Sequence, residues 1–217
     1  AQLFDPVFTM YDEWVEDFCD EYCALGMPSK LRYSVFSRLD HLHEKKIKTL
    51  AASGCAILRV GVETGDEYIR NEIYKKNIAN DTIREIFGLA KKNGIIFTAF
   101  YILGGPAETR STLERTISFA RELGAERSAF FIYKPFTKEG LQQVAEHGGW
   151  VDGVRWDRVD NITFDAVVYT KDLTPTQVEW YQRKAYFFTF GLRLLKMLRR
   201  QKLAYFTRLI IYMFRGL

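Results

Sequence analysis

The strongest constraint in this sequence is one pattern that recurs three times: an amphipathic stretch, a glycine, then an apolar run. Residues 43–53 place Ile47, Leu50 and Ala51 at helical spacing, Gly54 ends the helix, and CAILRVGVE follows. Residues 82–93 place Ile83, Ile86, Phe87 and Ala90 on one face, Gly94 ends it, and IIFTAFYILGG follows. Residues 112–123 place Leu113, Ile117 and Ala120 on one face, Gly124 ends it, and RSAFFIYKP follows. A glycine just past a helix closes the last turn in the left-handed conformation without a Cβ clash. The runs after it, β-branched and aromatic, read as strands. Helices alternating with strands that are apolar nearly throughout specify an α/β chain with a parallel sheet buried on both faces. Upstream, WVEDFCDEYCALG reads as one more helix and LRYSVFSR as one more strand.

A chain of 217 residues, 47% hydrophobic and 15% aromatic, has enough apolar surface for one sizeable core. No run approaches the roughly 18 consecutive apolar residues of a membrane span. Three cysteines, odd in number and irregular in spacing, with no secretory leader, point to free thiols in a reducing compartment, by default the cytoplasm. The chain opens on AQLFDPVFTM, without Met and on an apolar stretch like the end of a strand, so a piece of something longer is expected. Charge is unevenly placed. From Tyr181 onward there are nine Lys and Arg and no acid, which leaves 22 bases against 27 acids in the rest.

In a parallel sheet of such units all strands end at one rim, and function concentrates in the loops there. That rim collects Ser37 and Arg38, Gly61 and Glu63, Gly104, Gly105, Pro106 and Glu108, then Lys134 and Pro135. Thr64-x-x-Glu67 and Ser111-x-x-Glu114 both fit a capping box, so two helices are expected to start at the rim. The paired glycines offer a backbone that a ligand can approach closely. An acid flanked by glycines, beside a glycine-paired turn, suits a polar, hydroxyl-bearing ligand lying across the rim. Each element alone has a plainer reading: Gly-Gly-Pro as a tight turn, Glu63 as a favourable charge at a helix start.

GCAILRVGVETGDEYIRNEIYKK, AKKNGIIFTAFYILGGPAETRSTLERTISFARELGA and KPFTKEGLQQVAEHGG together resemble the central and later parts of a radical S-adenosylmethionine (SAM) enzyme, particularly the branch with an amino-terminal cobalamin-binding domain. The likeness covers roughly residues 3–150. It implies a partial TIM-like (βα) barrel, truncated at its amino end, over 1–150, followed by a mostly helical, basic extension over 151–217. It implies a [4Fe-4S] cluster that binds SAM and cleaves it reductively, with cobalamin as a further cofactor. By the same likeness Glu63 hydrogen-bonds the SAM ribose, and Gly104, Gly105 and Pro106 pass close to the adenine side. Glu108 braces that loop, and Ser37 or Arg38 reaches the ligand from the preceding strand.

This sequence departs from that pattern in two places. KPFTKEG stands where the family usually reads Pro-x-Pro-Gly-Thr, which implies a shortened last loop. No CxxxCxxC is present: Cys19 and Cys23 are i,i+4 on a helix beside Trp14 and Phe18, as core thiols would be, and Cys55 is remote. The cluster ligands are therefore expected before residue 1, LFDPVFT being like the family's second strand end. The chain by itself is expected to be silent in catalysis. An incomplete parallel sheet also leaves an open edge, which the tail or a second copy is expected to cover.

The carboxyl third offers NITFDAVVYT as an added strand and a long helical stretch opened by Thr174 before Pro175. Leu192, Leu195, Leu198, Tyr205, Leu209 and Met213 form a stripe against a basic face. Such a stripe suits either docking on the domain or peripheral contact with a membrane surface through 190–217. No nucleic-acid reader motif accompanies it, which argues against that partner. Two other functions stay open at this level: a non-catalytic α/β module that binds through its tail, and an α/β barrel that holds phosphate on the Gly-Gly turn. Substrate and reaction type cannot be read from these residues.

Overall fold

The computed structural model describes residues 1–152 and 165–191. Chain order is α1 (Asp12–Ala24), β1 (Tyr33–Ser37), α2 (Glu44–Ala52), β2 (Cys55–Glu63), a π-helical segment (Ile69–Ile73), α3 (Asn80–Lys92), β3 (Ile96–Leu103), α4 (Arg110–Leu123), β4 (Arg127–Ile132) and α5 (Lys138–Glu146). Then come β5 (Trp150–Val151), β6 (Val168–Tyr169), α6 (Pro175–Tyr186) and a second π-helical segment (Phe187–Gly191). Strands β1 to β4 form one parallel sheet in the order β1-β2-β3-β4. With its flanking helices this is the sheet of a partial TIM-like barrel, followed by a helical extension. Gly54, Gly94 and Gly124 all sit at positive φ behind their helices, as the repeated pattern requires. Residues 1–3 continue the sheet beyond β1: Gln2 bridges Ser34 in parallel, and the Leu3 N–H donates to the Ser34 carbonyl at 2.9 Å.

The two faces of the sheet differ. Val35, Leu58, Val60, Val62, Tyr101, Leu103 and Phe130 are fully buried and share one core with Val15 of α1, Ile47 and Leu50 of α2, Ile83 and Ala90 of α3, Leu113 and Ile117 of α4, and Val178 and Ala185 of α6. Phe36, Arg59, Gly61, Phe100 and Ile102 on the opposite face are only half-buried, and Phe131 is exposed. The expectation of burial on both faces is thus corrected. The apolar runs are continuous because this second face is aromatic, although no helix covers it among the described residues.

The capping boxes fall elsewhere than expected. Helix α4 is capped two residues earlier than expected, at Thr109, whose hydroxyl accepts from the Thr112 N–H at 3.2 Å while the Thr112 hydroxyl accepts from the Thr109 N–H at 2.9 Å. Ser111 instead accepts from Arg115. After β2 the cap is Asp66, which accepts from the Ile69 N–H at 3.0 Å. The Thr64 hydroxyl is occupied by Thr116 at 2.9 Å. In both cases the side chain that caps the helix lies two positions from the expected one: the Thr109 hydroxyl before α4 and the Asp66 carboxylate after β2. Thr174 caps α6 as expected, with Pro175 in its first turn.

Helix α6 closes the β4 edge of the sheet. Gln182 Nε2 donates to the Phe130 carbonyl at 2.7 Å, and the Phe130 N–H donates to the Tyr186 hydroxyl at 3.1 Å, so side chains stand in for a fifth strand. This is the β4 edge; the edge expected to be open, left by an absent first strand, is the one beyond β1, where residues 1–3 lie. Strands β5 and β6 pair antiparallel, away from the main sheet. Residues 161–164 of the expected strand and the whole stripe from 192 to 217 lie outside the described residues. Among the described residues no helix is long and apolar enough to cross a membrane. Replacing Gln182 by Leu leaves a buried carbonyl without a donor, at a cost of about 1–3 kcal/mol. A urea titration is expected to show that loss, with an unchanged denaturant slope, whereas Gln142→Leu on exposed α5 is expected to be nearly neutral.

Candidate functional site

The rim at the carboxyl ends of β1, β2 and β3 is assembled from the inside outward. Glu63 ends β2 at φ 66°, in the left-handed region a non-glycine residue seldom occupies, and the β2–β3 register slips between Gly61 and Glu63. The bulge folds the Glu63 carboxylate back over Gly61, where any Cβ would overlap its oxygen. Lys76 Nζ meets that carboxylate at 2.9 Å. Lys75 and Asn77 on either side of Lys76 are also at positive φ, 52° and 49°. Strain of this kind concentrates at functional sites, where the surroundings hold it in place.

Those surroundings are a buried cation. Arg70 has no exposed surface, and donates from Nε to the Ile78 carbonyl at 3.1 Å, from one terminal nitrogen to the Thr64 carbonyl at 2.9 Å, and from the other to Asn80 Oδ1 at 2.6 Å. Burial lowers its pKa from the usual arginine value, with Glu67 and Asp66 nearby acting in opposition. Asp66 in turn accepts from Arg115 Nε at 2.9 Å, which ties the loop after β2 to α4. Gly65 lets α4 come this close, since a Cβ there would lie 2.6 Å from the Arg115 carbonyl.

The glycine-paired turn is a second knot. Gly104 is at φ 79° and Ala107 at φ 62°. The carboxylate of Glu108 accepts from the Gly104 N–H and, at 3.1 Å, from the Gly105 N–H, bracing the turn across Pro106. Glu108 is buried, and that burial pushes its pKa up to about 8 against the pull of the two N–H donors. Its other oxygen, Oε1, is buried without a partner. The glycine faces are not open backbone. A Cβ on Gly104 would lie 2.7 Å from Val178 of α6, and one on Gly105 would overlap the Tyr74 hydroxyl. Tyr74 is the residue sequence reasoning missed: its buried hydroxyl has no partner, and burial, then Glu108 and Glu63, raise its pKa well above the usual tyrosine value. Nothing in the sequence separates it from the neighbouring Tyr68, which is exposed.

The rim thus brings Glu63, Gly105 and Glu108 near Tyr74, with Gly104 and Pro106 in the turn that Glu108 braces. Arg38 stands at its margin, paired with Asp40 at 2.7 Å; that pairing raises its pKa, with Glu63 contributing. Ser37 faces the other way, bonded to the Thr9 hydroxyl at 2.6 Å. Cys19 is buried, as expected of a core thiol, but the same expectation for Cys23 is corrected: it is exposed, next to the last residue of α1, and Cys55, remote from both in sequence, is buried in β2. Among the described residues no group of His, Cys, Asp or Glu is placed to hold a metal ion.

Glu108 makes stability depend on pH. Its folded pKa, about 8, lies above the unfolded value near 4.5, so the folded state holds the extra proton between these values. Its contribution is therefore full at low pH and is lost as pH rises through that window. Thermal melts at pH 5, 6.5 and 8 are expected to fall with pH, and Glu108→Gln, which stays neutral, is expected to flatten the decline.

Residues 6–120 match the Radical SAM superfamily. An uncharacterised methyltransferase of Pyrococcus horikoshii is 29% identical over 185 residues, which are 85% of this chain and 39% of that protein. The anaerobic magnesium-protoporphyrin IX monomethyl ester cyclase of Cereibacter sphaeroides is 24% identical over 122 residues, 55% of this chain and 20% of that one. This chain therefore spans two fifths or less of either relative. In fold it is similar to the radical SAM methyltransferase TsrM from Kitasatospora setae, solved with cobalamin and a [4Fe-4S] cluster, at a TM-score of 0.60 and 18% identity over 85% of this chain and 37% of that one. The coproporphyrinogen III oxidase HemN of Escherichia coli gives 0.57 and 14% over 81% and 37%. With the family matched across more than half its length and the parallel sheet and rim described above, the chain belongs to the Radical SAM superfamily.

Proposed function

We propose that this chain supplies the SAM-binding rim of a radical SAM enzyme. The observation that carries this reading is Glu63, held by a bulge at positive φ with its carboxylate beside the turn that Glu108 braces. A carboxylate accepts from a ribose hydroxyl pair, and strong acceptors fixed before binding lose little entropy in doing so. The unpartnered Tyr74 hydroxyl and Glu108 Oε1 suit the same ligand: both are buried polar atoms whose cost is removed when a donor or acceptor arrives. A ligand that reaches the Gly105 backbone displaces or engages Tyr74 first. Bound SAM brings a sulfonium whose reductive cleavage starts radical chemistry on a substrate.

The described residues hold no set of thiolates that fits a [4Fe-4S] cluster. Cobalamin belongs to the same reading on the strength of the fold likeness to TsrM alone, and no residue of this chain is assigned to it. Peripheral membrane contact through 190–217 rests on composition, and the cytoplasm remains the compartment expected of the free thiols.

Calorimetric titration of SAM into the full-length, iron-reconstituted protein is the test. Glu63→Ala is expected to weaken binding by about 1–3 kcal/mol, the cost of an unreplaced buried hydrogen bond. Gly105→Val is expected to do more, by occupying the face where Tyr74 sits. Affinity unchanged in both variants overturns the assignment.

A further inference from the structure

The face of the sheet turned away from the helices carries three phenylalanines in a row. Phe36 of β1, Phe100 of β3 and Phe131 of β4 share it with Arg59 of β2: Phe36 is in register with Arg59, and Phe100 with Gly61 and Ala129. Gly61, between them on β2, carries no side chain, and the Glu63 carboxylate folds over it. The Phe36 and Phe100 centroids are 6.3 Å apart and nearly parallel at 23°, and Phe100 and Phe131 are 5.9 Å apart. Phe131, next to the last residue of β4, is 43% exposed. A contiguous aromatic patch of this kind marks a binding surface, whereas single exposed apolar residues do not.

The guanidinium of Arg59 lies 5.7 Å from the Phe36 centroid, over the ring. Its Nε is buried with no acceptor. Glu63, at the end of the same face, is already committed to Lys76. The face therefore offers a flat aromatic bed with an uncommitted cation set into it and an unmet donor on that cation. A guanidinium on a ring keeps its planar fork available to a carboxylate, which takes two parallel N–H bonds. A polyanion such as nucleic acid would require several cations, and the bed holds one among its rings.

We propose that this face seats the substrate, and that the substrate is a small, flat, ring-bearing molecule with a carboxylate: its rings lie on Phe36, Phe100 and Phe131 and its acid on Arg59. The proposal rests on the reading of the rim as the SAM site, because Glu63 and the bed share one face and the seated molecule then lies beside the nucleotide.

The test titrates 2-naphthoate and its neutral isostere 2-naphthamide into the full-length protein, with SAM affinity measured on the same samples. In the native protein naphthoate is expected to bind at least tenfold tighter than the amide. Arg59→Gln is expected to erase that preference with SAM affinity retained, and Phe131→Leu to weaken both probes alike. Arg59→Lys, which keeps a cation in place should the Gln variant fold poorly, is expected to retain a reduced preference for the acid. Equal binding of acid and amide in the native protein, or a preference that survives Arg59→Gln, overturns the substrate class. If SAM binds and the acid preference is missing, the seat alone falls. If the acid is preferred but SAM does not bind, the rim reading falls.

Discussion

The arrangement of the rim depends on one buried guanidinium. A charged group without exposed surface is tolerated only when its donors are met, and Arg70 meets them with two main-chain carbonyls and an asparagine side chain from three separate points of the loop between β2 and α3. The consequence is geometric. A segment that contains a π-helical turn and left-handed residues is fixed at Thr64, Ile78 and Asn80 at once, so the side chains it carries, Tyr74 and Lys76, have defined places over Gly105 and Glu63. Removing the guanidinium would leave these carbonyls buried and unmet, and the loop would lose the reason for its shape. The Phe119 ring 5.9 Å from the same guanidinium carries this order into α4.

The sheet divides its labour between faces. One face packs against helices and provides cohesion, and the other keeps rings, an arginine and a bulged glutamate clear of any helix among the described residues. A bulge at the end of β2 is what joins the two roles, because the register slip redirects Glu63 without disturbing Val60 and Val62 beneath it, both fully buried. Glycine appears at each point where backbone or side chain must come close: Gly61 under a carboxylate, Gly65 under α4 and Gly105 under a phenol.

Much of this was legible in the sequence. The helix-glycine-strand repeat located β2 at residues 55–63 because a left-handed glycine and a β-branched run are local signals that no tertiary contact contradicts here. Glu63 and the Gly-Gly turn were visible as rim residues for the same reason: strand ends follow from strand positions. What was not legible depends on packing at long range. Arg70 reads as one more polar residue on an amphipathic stretch, and nothing local says that three acceptors await it. Tyr74 and Tyr68 look alike until the loop is folded. The caps were misread because hydroxyl and acid at the right spacing recur within two residues, and only the preceding backbone angle decides between them, extended at Thr109. The continuous apolar strands suggested two covered faces, whereas among the described residues no helix covers the face of Phe36, Phe100 and Phe131.

Val178 deserves a last consequence. Its methyl groups fill the space in front of Gly104, while Gln182 and Tyr186 further along the same helix hold the outer edge of β4. One element therefore props the Gly104 turn and shields the edge of β4. Anything that peels this helix away, whether heat, proteolysis or a competing partner, slackens the turn and bares unpaired main-chain groups in the same event. The shape of the Gly104 turn and the shielding of the β4 edge are thus coupled through one helix: a molecule that loses α6 loses both at once.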